Sequence, residues 1–191
     1  YVGQMHAVIA GIAPQARVID LTHDIAPQNI VQAACVLEDA VDACPPGTIH
    51  VVVVDPGVGS ARRAIAAEIG EWKFVGPDNG VFSAVLDRWP LRRAVELTNP
   101  RYFRGNVTAM GANWDDLGAP AAESLVRLQL PTPSITEEEI SGEVLWVDHF
   151  GNLVTNVRSE MLQRGSNIMV EIGTHPPIPL VRCYADGRAE S

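Results

Sequence analysis

The chain has 191 residues, 47% of them hydrophobic, which is enough to bury a core as one domain or as one domain with a small second unit. Acidic residues outnumber basic ones by 23 to 14, and the resulting net charge of -9 argues against nucleic acid as a partner, because phosphate binding needs a basic surface. No apolar run approaches the roughly 18 residues that a bilayer span requires, so no membrane partner is expected.

Helical and strand patterns alternate in the first third of the chain. The apolar stretch HAVIAGIAP (6–14) predicts a helix that ends at its proline. ARVIDLTHDI (16–25) predicts a short strand followed by a polar turn. QNIVQAACVLEDAVDAC (28–44) carries apolar residues at helical spacing and predicts a second helix.

The next segments continue this alternation. PPGTIHVVVVD (45–55) is a turn followed by a valine run, which favours a parallel strand covered on both faces. AIAAEI (64–69) and WKFVGPDNG (72–80) predict a hairpin or strand pair, and GVFSAVLDRWP (80–90) predicts a helix closed by proline. The sequence therefore predicts an α/β layered domain with a mostly parallel sheet.

The composition changes near PTPSITEEEISGE (131–143), where prolines and three glutamates favour a linker. Beyond it, short alternating segments interrupted by prolines predict a small β-rich unit. We expect an N-terminal α/β domain at 1–133, a linker at 134–140 and a C-terminal β domain at 141–191. A doubly wound sheet usually starts with a strand, so we expect the sequence to be trimmed at both ends.

Acidic residues follow several predicted strands, at the edge of an open α/β sheet where ligands gather. Asp20 and Asp24 flank a THD string, Asp55 follows the valines, and Asp78 lies in GPDNG. Each can simply form a turn, since Asp and Asn favour turns at strand ends. The three positions together also indicate a ligand site.

The stretch VVVVDPGVGSARR (51–63) gives the strongest indication of chemistry. Asp55 leaves a buried strand, and the following glycines let backbone amides approach a ligand closely. Arg62 can fold back onto Asp55 and stabilise its ionised form. A structural ion pair that fixes the loop explains the same residues equally well. The GxxxxGK[ST] pattern of a phosphate loop is absent.

Cysteines and histidines give no strong indication of a metal. Cys35, Cys44 and Cys183 are scattered without CxxC spacing, which is typical of reduced thiols and favours a cytoplasmic location. The five histidines show no HxH or HExxH pattern, and only His23 lies close to acids, at Asp20 and Asp24.

The string DHFGNLVTN in the second unit places an acid, an aromatic ring and an amide on one glycine turn. Asp148, Phe150 and Asn152 suit the base and ribose of a nucleoside. The same residues are also typical of an ordinary hairpin turn.

Taken together, the sequence resembles the S-adenosyl-L-methionine (SAM) hydroxide adenosyltransferase family, relatives of the fluorinase and chlorinase enzymes. The matching strings follow the family's order and cover most of the chain: YVGQMHAVI, VIDLTHDIAPQNIVQAA, GTIHVVVVDPGVGSARR, GPDNGVFS, APAA (119–122) and VDHFGNLVTNV. The resemblance implies a homotrimer of subunits with an α/β domain and a barrel-like β domain. It further implies active sites between the N-terminal domain of one subunit and the C-terminal domain of the next. The implied reaction is attack of water on ribose C5′, giving adenosine and L-methionine.

The resemblance also assigns site residues. Asp55 and Arg62 match the acid and the arginine that position the attacking water, and the halogenating relatives carry tyrosine in place of Asp55. The implied substrate-binding residues are Gln28, Asn79, Asp148, Phe150 and Asn152. Because a sulfonium is already a good leaving group, the reaction needs positioning and a proton acceptor but no metal and no cofactor.

The chain departs from the family pattern in one string. Where the family has FHGRD, this chain has ANWDD (112–116), so Asn113 replaces a histidine and cannot shuttle a proton, although it can orient water. This departure motivates an alternative function, a SAM- or adenosine-binding protein with reduced or lost turnover. A third alternative is a metal-dependent hydrolase built on Asp20, His23 and Asp55.

Overall fold

The computed structural model describes most of the chain, namely residues 1–102, 113–121, 125–162, 167–183 and 186. Ala112 and Ala122, which belong to two strings quoted for the family resemblance, lie outside these residues. The chain separates into two compact units, Tyr1–Leu130 and Pro131–Ser191.

Three of the described helices of the first unit overlap segments that the sequence predicts as helical, whereas the one-turn helix at Trp114–Leu117 was not predicted. The helices are α1 (Val2–Ile12), α2 (Ile30–Val41), α3 (Ser83–Arg88) and the one-turn α4 (Trp114–Leu117), with a 3₁₀ turn at Pro100–Tyr102. Asn29 caps α2, since its side-chain oxygen accepts the Gln32 backbone N–H at 2.9 Å. The α2 residues Leu37 and Val41 are buried in the core, as the helical spacing requires.

A four-stranded mixed sheet forms the centre of the first unit. Its strands are β1 (Ile49–Val51), β2 (Ala64–Ile69), β3 (Trp72–Pro77) and β4 (Leu91–Glu96), in the order β1-β3-β2-β4. Only β1 and β3 pair in parallel, whereas β2 pairs antiparallel with both β3 and β4. The prediction of a mostly parallel sheet is therefore wrong for the described residues. The reason is local, because the two residues Gly70 and Glu71 join β2 to β3 as a tight hairpin, with Gly70 at φ 58°.

The valine run forms a strand only at its first residue, Val51, and among the described residues that strand, β1, lies at the edge of the sheet. Within the described part of the chain β1 pairs with β3 alone, and its continuation is held by the Val52 N–H, which donates to the Val75 carbonyl at 2.9 Å. Val51 and Val53 are exposed, whereas His50 between Ile49 and Val51 is buried. The prediction of cover on both faces is wrong, because no described element packs on the outer face of this strand.

The strand predicted at 16–25 is also not formed in the structure. This segment has no strand partner among the described residues, and Val18 and Ile19 are exposed. Its β-branched residues favour extended backbone, but a strand also needs a neighbour to satisfy its hydrogen bonds.

The core lies between the sheet and the helices α2 and α3. Ile65 and Ile69 of β2 and Phe74 of β3 are fully buried, and Val85 of α3 packs in the same cluster. Each such side chain contributes about 1.5–3 kcal/mol when it is buried. This packing fixes β3 and, through strand pairing, the end of β1, which lies four residues before Asp55.

The second unit is β-rich and is built from strand pairs. Its strands are β5 (Ser134–Ile135), β6 (Ile140–Ser141), β7 (Val144–Val147), β8 (Leu153–Thr155), β9 (Met169–Val170) and β10 (Ile178–Pro179). A 3₁₀ turn at Ser159–Leu162 lies between β8 and β9. The described residues form three antiparallel pairs, so a barrel-like arrangement and the domain limits 1–133 and 141–191 remain predictions. The stretch 134–140, predicted as a linker, supplies β5 and the start of β6.

Among the described residues, no helix has the length and the apolar character that a membrane crossing requires.

Candidate active site

An open cavity of about 180 Å³ lies where the chain leaves β1 and β3. Its lining is mostly apolar and includes one carboxylate and one guanidinium: Val51, Val52, Val53, Asp55, Arg62, Ala64, Val75, Gly76, Pro77 and Leu97. Gly76 is needed for the close approach of the two strands, since a Cβ there would lie 2.8 Å from the Val52 carbonyl oxygen. The cavity thus combines apolar walls with a single ion pair.

Asp55 is held by hydrogen bonds to both of its carboxylate oxygens. Oδ1 accepts the Gly57 backbone N–H at 3.1 Å, and Oδ2 pairs with the Arg62 guanidinium. The side chain is only 7% exposed, although it still lines the cavity. An ionised carboxylate that is fixed in this way can accept a hydrogen bond from a water bound in the cavity.

Arg62 folds back onto Asp55, as the sequence predicts. One terminal nitrogen pairs with Asp55, and the other donates to the Arg63 carbonyl oxygen at 2.7 Å. Its Nε is buried and has no hydrogen-bond partner among the described residues. The guanidinium is therefore fixed at both terminal nitrogens.

Asp78 and Asn79 bond to the two chain segments that flank this pair. Asp78 is 3% exposed, and its Oδ2 accepts Arg63 Nε at 2.9 Å while its Oδ1 accepts the Val126 N–H at 2.7 Å. Asn79 Nδ2 donates to the Val54 carbonyl oxygen at 2.8 Å. Asp78 and Asn79 thus hold Arg63, Val54 and Val126 in the first unit. Neither residue lines the cavity.

Of the two acids around the THD string, Asp20 forms a separate exposed cluster with His6 and His23. Asp20 Oδ1 accepts His6 Nε2 at 2.9 Å and lies 3.1 Å from His23 Nε2. These hydrogen bonds, that from His6 above all, lower the pKa of Asp20 below its usual value. Asp24 instead bonds through its backbone N–H to the Thr22 hydroxyl. The described residues contain no group of three His, Cys, Asp or Glu side chains arranged to hold a metal ion.

Gln28 and Asn113 both lie just before helices of the first unit. Gln28 is exposed at φ 66°, two residues before α2, and does not line the cavity described here. Asn113 is exposed at the N-terminal end of α4, and its side chain makes no capping hydrogen bond. The roles predicted for these two residues remain predictions.

In the second unit, the predicted nucleoside-binding turn joins β7 to β8. Asp148 Oδ1 accepts the backbone N–H groups of Phe150 and Asn152, each at 2.8 Å, and its Oδ2 accepts Asn152 Nδ2 at 2.7 Å. These bonds, led by that from the Asn152 side chain, lower the pKa of Asp148. Phe150 is 87% exposed at the tip of this turn. The turn therefore presents an aromatic ring on a backbone fixed by its own side chains.

The structure brings Asp55 and Arg62 together. Asn79 contacts the residue before Asp55, because its side chain donates to the Val54 carbonyl oxygen. Sequence reasoning missed Arg63, which pairs with Asp78 whereas Arg62 pairs with Asp55. The indication was available, because consecutive residues of an extended segment point to opposite faces. It also missed Leu97, which lines the cavity from a distant part of the chain and carries no polar group to mark it.

Comparisons with known proteins agree with the resemblance. Residues 1–133 match the model of the SAM hydroxide adenosyltransferase N-terminal domain, and residues 142–191 match that of the C-terminal domain. A relative from Salinispora arenicola, named (R)-S-adenosyl-L-methionine hydrolase, is 38% identical over 97% of this chain and 77% of its own length. A fluorinase from Actinoplanes sp. is 23% identical over 97% of this chain and 78% of its own.

A solved structure shows the same fold. The crystal structure of an uncharacterized conserved protein from Thermotoga maritima superposes with a TM-score of 0.86 at 30% identity, covering 97% of this chain and 79% of that one. The two family models together cover nearly all of the sequence. The chain belongs to the SAM hydroxide adenosyltransferase family.

Proposed function

We propose that this protein hydrolyses S-adenosyl-L-methionine to adenosine and L-methionine. The observation that carries the proposal is the buried Asp55 carboxylate, fixed by Arg62 in the wall of an apolar cavity. Family membership and the name of the Salinispora relative support the same reaction.

The chemistry follows from the properties of a sulfonium. A water oxygen forms a bond to ribose C5′ while the C5′–S bond breaks, and its electron pair leaves with sulfur as the neutral thioether of methionine. The water loses one proton, which Asp55 accepts and later releases to solvent. A positioned base of this kind contributes about 10²–10⁴-fold, and alignment of water with the C5′–S bond supplies the larger part of the rate.

The size of the cavity bears on how the substrate is held. At about 180 Å³ it is smaller than the roughly 300–1,000 Å³ of typical ligand pockets, so it can enclose only the reacting part of the molecule. We propose that Gln28, Asp148, Phe150 and Asn152 contact the rest of the substrate. We further propose a cytoplasmic homotrimer in which two subunits contribute to each site, as the resemblance implies.

The test is identification of the products in isotopically labelled water. Purified protein incubated with the substrate in H₂¹⁸O is expected to give methionine and adenosine in equal amounts, with ¹⁸O in the 5′-hydroxyl only. Supplying both sulfonium epimers also shows whether this protein prefers the (R) form that its relatives' names specify. Intact substrate after long incubation at high protein concentration would contradict the proposal.

A second function, binding of SAM or adenosine without turnover, is favoured by one observation. By the resemblance, Asn113 stands where the family has histidine, and an amide cannot shuttle a proton. Calorimetry that shows binding, in a sample that releases no product, would support this alternative. Release of product with Asn113→His and not with the natural chain would identify the asparagine as the cause.

A further inference from the structure

The loop that carries Asp55 and Arg62 is held at both of its ends by two adjacent residues. Asn79 bonds to Val54, which directly precedes Asp55, and Asp78 bonds to Arg63, which directly follows Arg62. Two neighbouring side chains at the end of β3 thus meet the two stems of one loop.

The Asn79 contact fixes the backbone before Asp55. Nδ2 donates to the Val54 carbonyl oxygen at 2.8 Å, and Oδ1 accepts the Val81 N–H at 3.2 Å, so both ends of the amide are engaged with the backbone. Val81 is fully buried at the start of the α3 turn and gives the amide a rigid support. The Val54 carbonyl belongs to the peptide bond that leads into Asp55, so its position sets where the carboxylate begins.

The Asp78 contact fixes the guanidinium through Arg63. The Asp78 backbone N–H donates to the Arg63 carbonyl oxygen at 2.9 Å, and its carboxylate accepts Arg63 Nε at 2.9 Å. The same Arg63 carbonyl oxygen accepts Arg62 Nη1 at 2.7 Å. A displacement of Asp78 would therefore move the Arg63 carbonyl oxygen and, with it, the Arg62 guanidinium that holds Asp55.

We propose that Asp78 and Asn79 are positioning residues, a two-residue clamp that sets the geometry of the Asp55–Arg62 pair for catalysis. The inference rests on the proposed function and gives Asn79 a role through Asp55 instead of through contact with the substrate. Because a misplacement of about 1 Å at a reacting group can cost about 10²-fold in rate, a clamp of this kind has a measurable effect on turnover.

Asn99 provides a matched control for Asn79. Its Nδ2 donates to the Asp116 carbonyl oxygen at 2.6 Å and its Oδ1 accepts the N–H of the residue two positions on, Arg101, at 3.0 Å. The Asn79 amide makes the same two bonds, the second also to the residue two positions on. Replacing either asparagine by alanine removes the same hydrogen bonds, but only Asn79 bonds to a stem of the Asp55 loop.

The experiment compares kcat, KM and melting temperature for Asn79→Ala and Asn99→Ala in the full chain, well below both melting temperatures. We expect Asn79→Ala to lower kcat by about 10- to 10²-fold with KM nearly unchanged, and Asn99→Ala to lower only the melting temperature. Asp78→Asn, which keeps an oxygen for the Val126 N–H, should lower kcat in the same way. In an Asp55→Asn background, Asn79→Ala should cause little further loss, because the two residues act as one unit.

The outcomes separate this inference from the function on which it rests. If Asn79→Ala raises KM and leaves kcat unchanged, the residue contacts substrate and the clamp is wrong. If Asp55→Asn is inactive while Asn79→Ala behaves like Asn99→Ala, the clamp fails and the proposed function stands. If Asp55→Asn keeps full turnover, the catalytic role of the pair fails, and the clamp has nothing to position.

Discussion

Replacing Asp55 by asparagine separates a catalytic pair from a structural one. The change keeps the size of the side chain and one oxygen that can still accept the Gly57 N–H, which lies 3.1 Å from the carboxylate. It removes the negative charge opposite Arg62 and with it the proton acceptor. If Asp55 deprotonates the attacking water, kcat should fall by about 10²–10⁴-fold, which corresponds to about 2.7–5.4 kcal/mol of transition-state stabilisation.

A purely structural pair predicts a different result. Breaking a buried ion pair by removing one partner costs about 3–5 kcal/mol of stability. For a chain of this length, each kcal/mol shifts the melting temperature by about 2–4 °C, so melting would fall by about 6–20 °C. The folded fraction would then hydrolyse SAM at the rate of the unchanged protein.

The assay measures both quantities on the same samples. Release of adenosine is followed by chromatography to give kcat and KM, and melting is followed by circular dichroism. Asp87→Asn serves as the control, because Asp87 pairs with Arg127 at the exposed surface of the same unit, where ion pairs contribute little. Wild-type kcat in Asp55→Asn would refute the catalytic assignment, and an equal loss of kcat in Asp87→Asn would refute its specificity.

Three further expectations follow from named contacts. Arg62→Lys should lower kcat with little effect on KM, because one ammonium cannot hold both Asp55 and the Arg63 carbonyl; steady-state kinetics that match the unchanged protein would contradict this. Burial lowers the pKa of His50, so the stability that the neutral ring contributes is complete above about pH 6.5 and is lost below it. The loss is at most about 1.4 kcal/mol per pH unit. The melting temperatures at pH 7.5 and pH 5.5 should therefore differ less in His50→Phe than in the unchanged protein. Turnover should survive dialysis against a strong chelator, and a loss that added metal restores would favour the metal-dependent alternative.

The elements that the sequence predicts well are those fixed by local pattern. Helix α2 follows from apolar spacing and its Asn29 cap, and the β2–β3 hairpin from two β-like segments around Gly70. The meeting of Asp55 with Arg62 also follows from local chain geometry, because seven residues with two glycines can return on themselves.

The features that the sequence does not predict depend on distant partners. Four consecutive valines are compatible with a central or an edge strand. Val51 and Val53 are exposed because β1, among the strands that the structure describes, has β3 as its one neighbour. Likewise, the PDNG string that contains Asn79 predicts a turn but not the contact that Asn79 makes. Its bond to Val54, 25 residues earlier, arises only when β1 and β3 lie side by side.

We expect the negative charge of Asp55 to favour water over a halide as the nucleophile. A halide entering the cavity would lose its hydration and lie against the Asp55 carboxylate, where two like charges 4 Å apart repel by about 4 kcal/mol at an effective dielectric constant of about 20. The positive charge of Arg62, which pairs with Asp55, offsets part of this repulsion. Water carries no charge and can donate a hydrogen bond to the carboxylate. We therefore expect adenosine as the only nucleoside product at high chloride or fluoride. Mass spectrometry that detects a 5′-halogenated nucleoside above a heat-inactivated control would show that the ion pair does not set the preference for water.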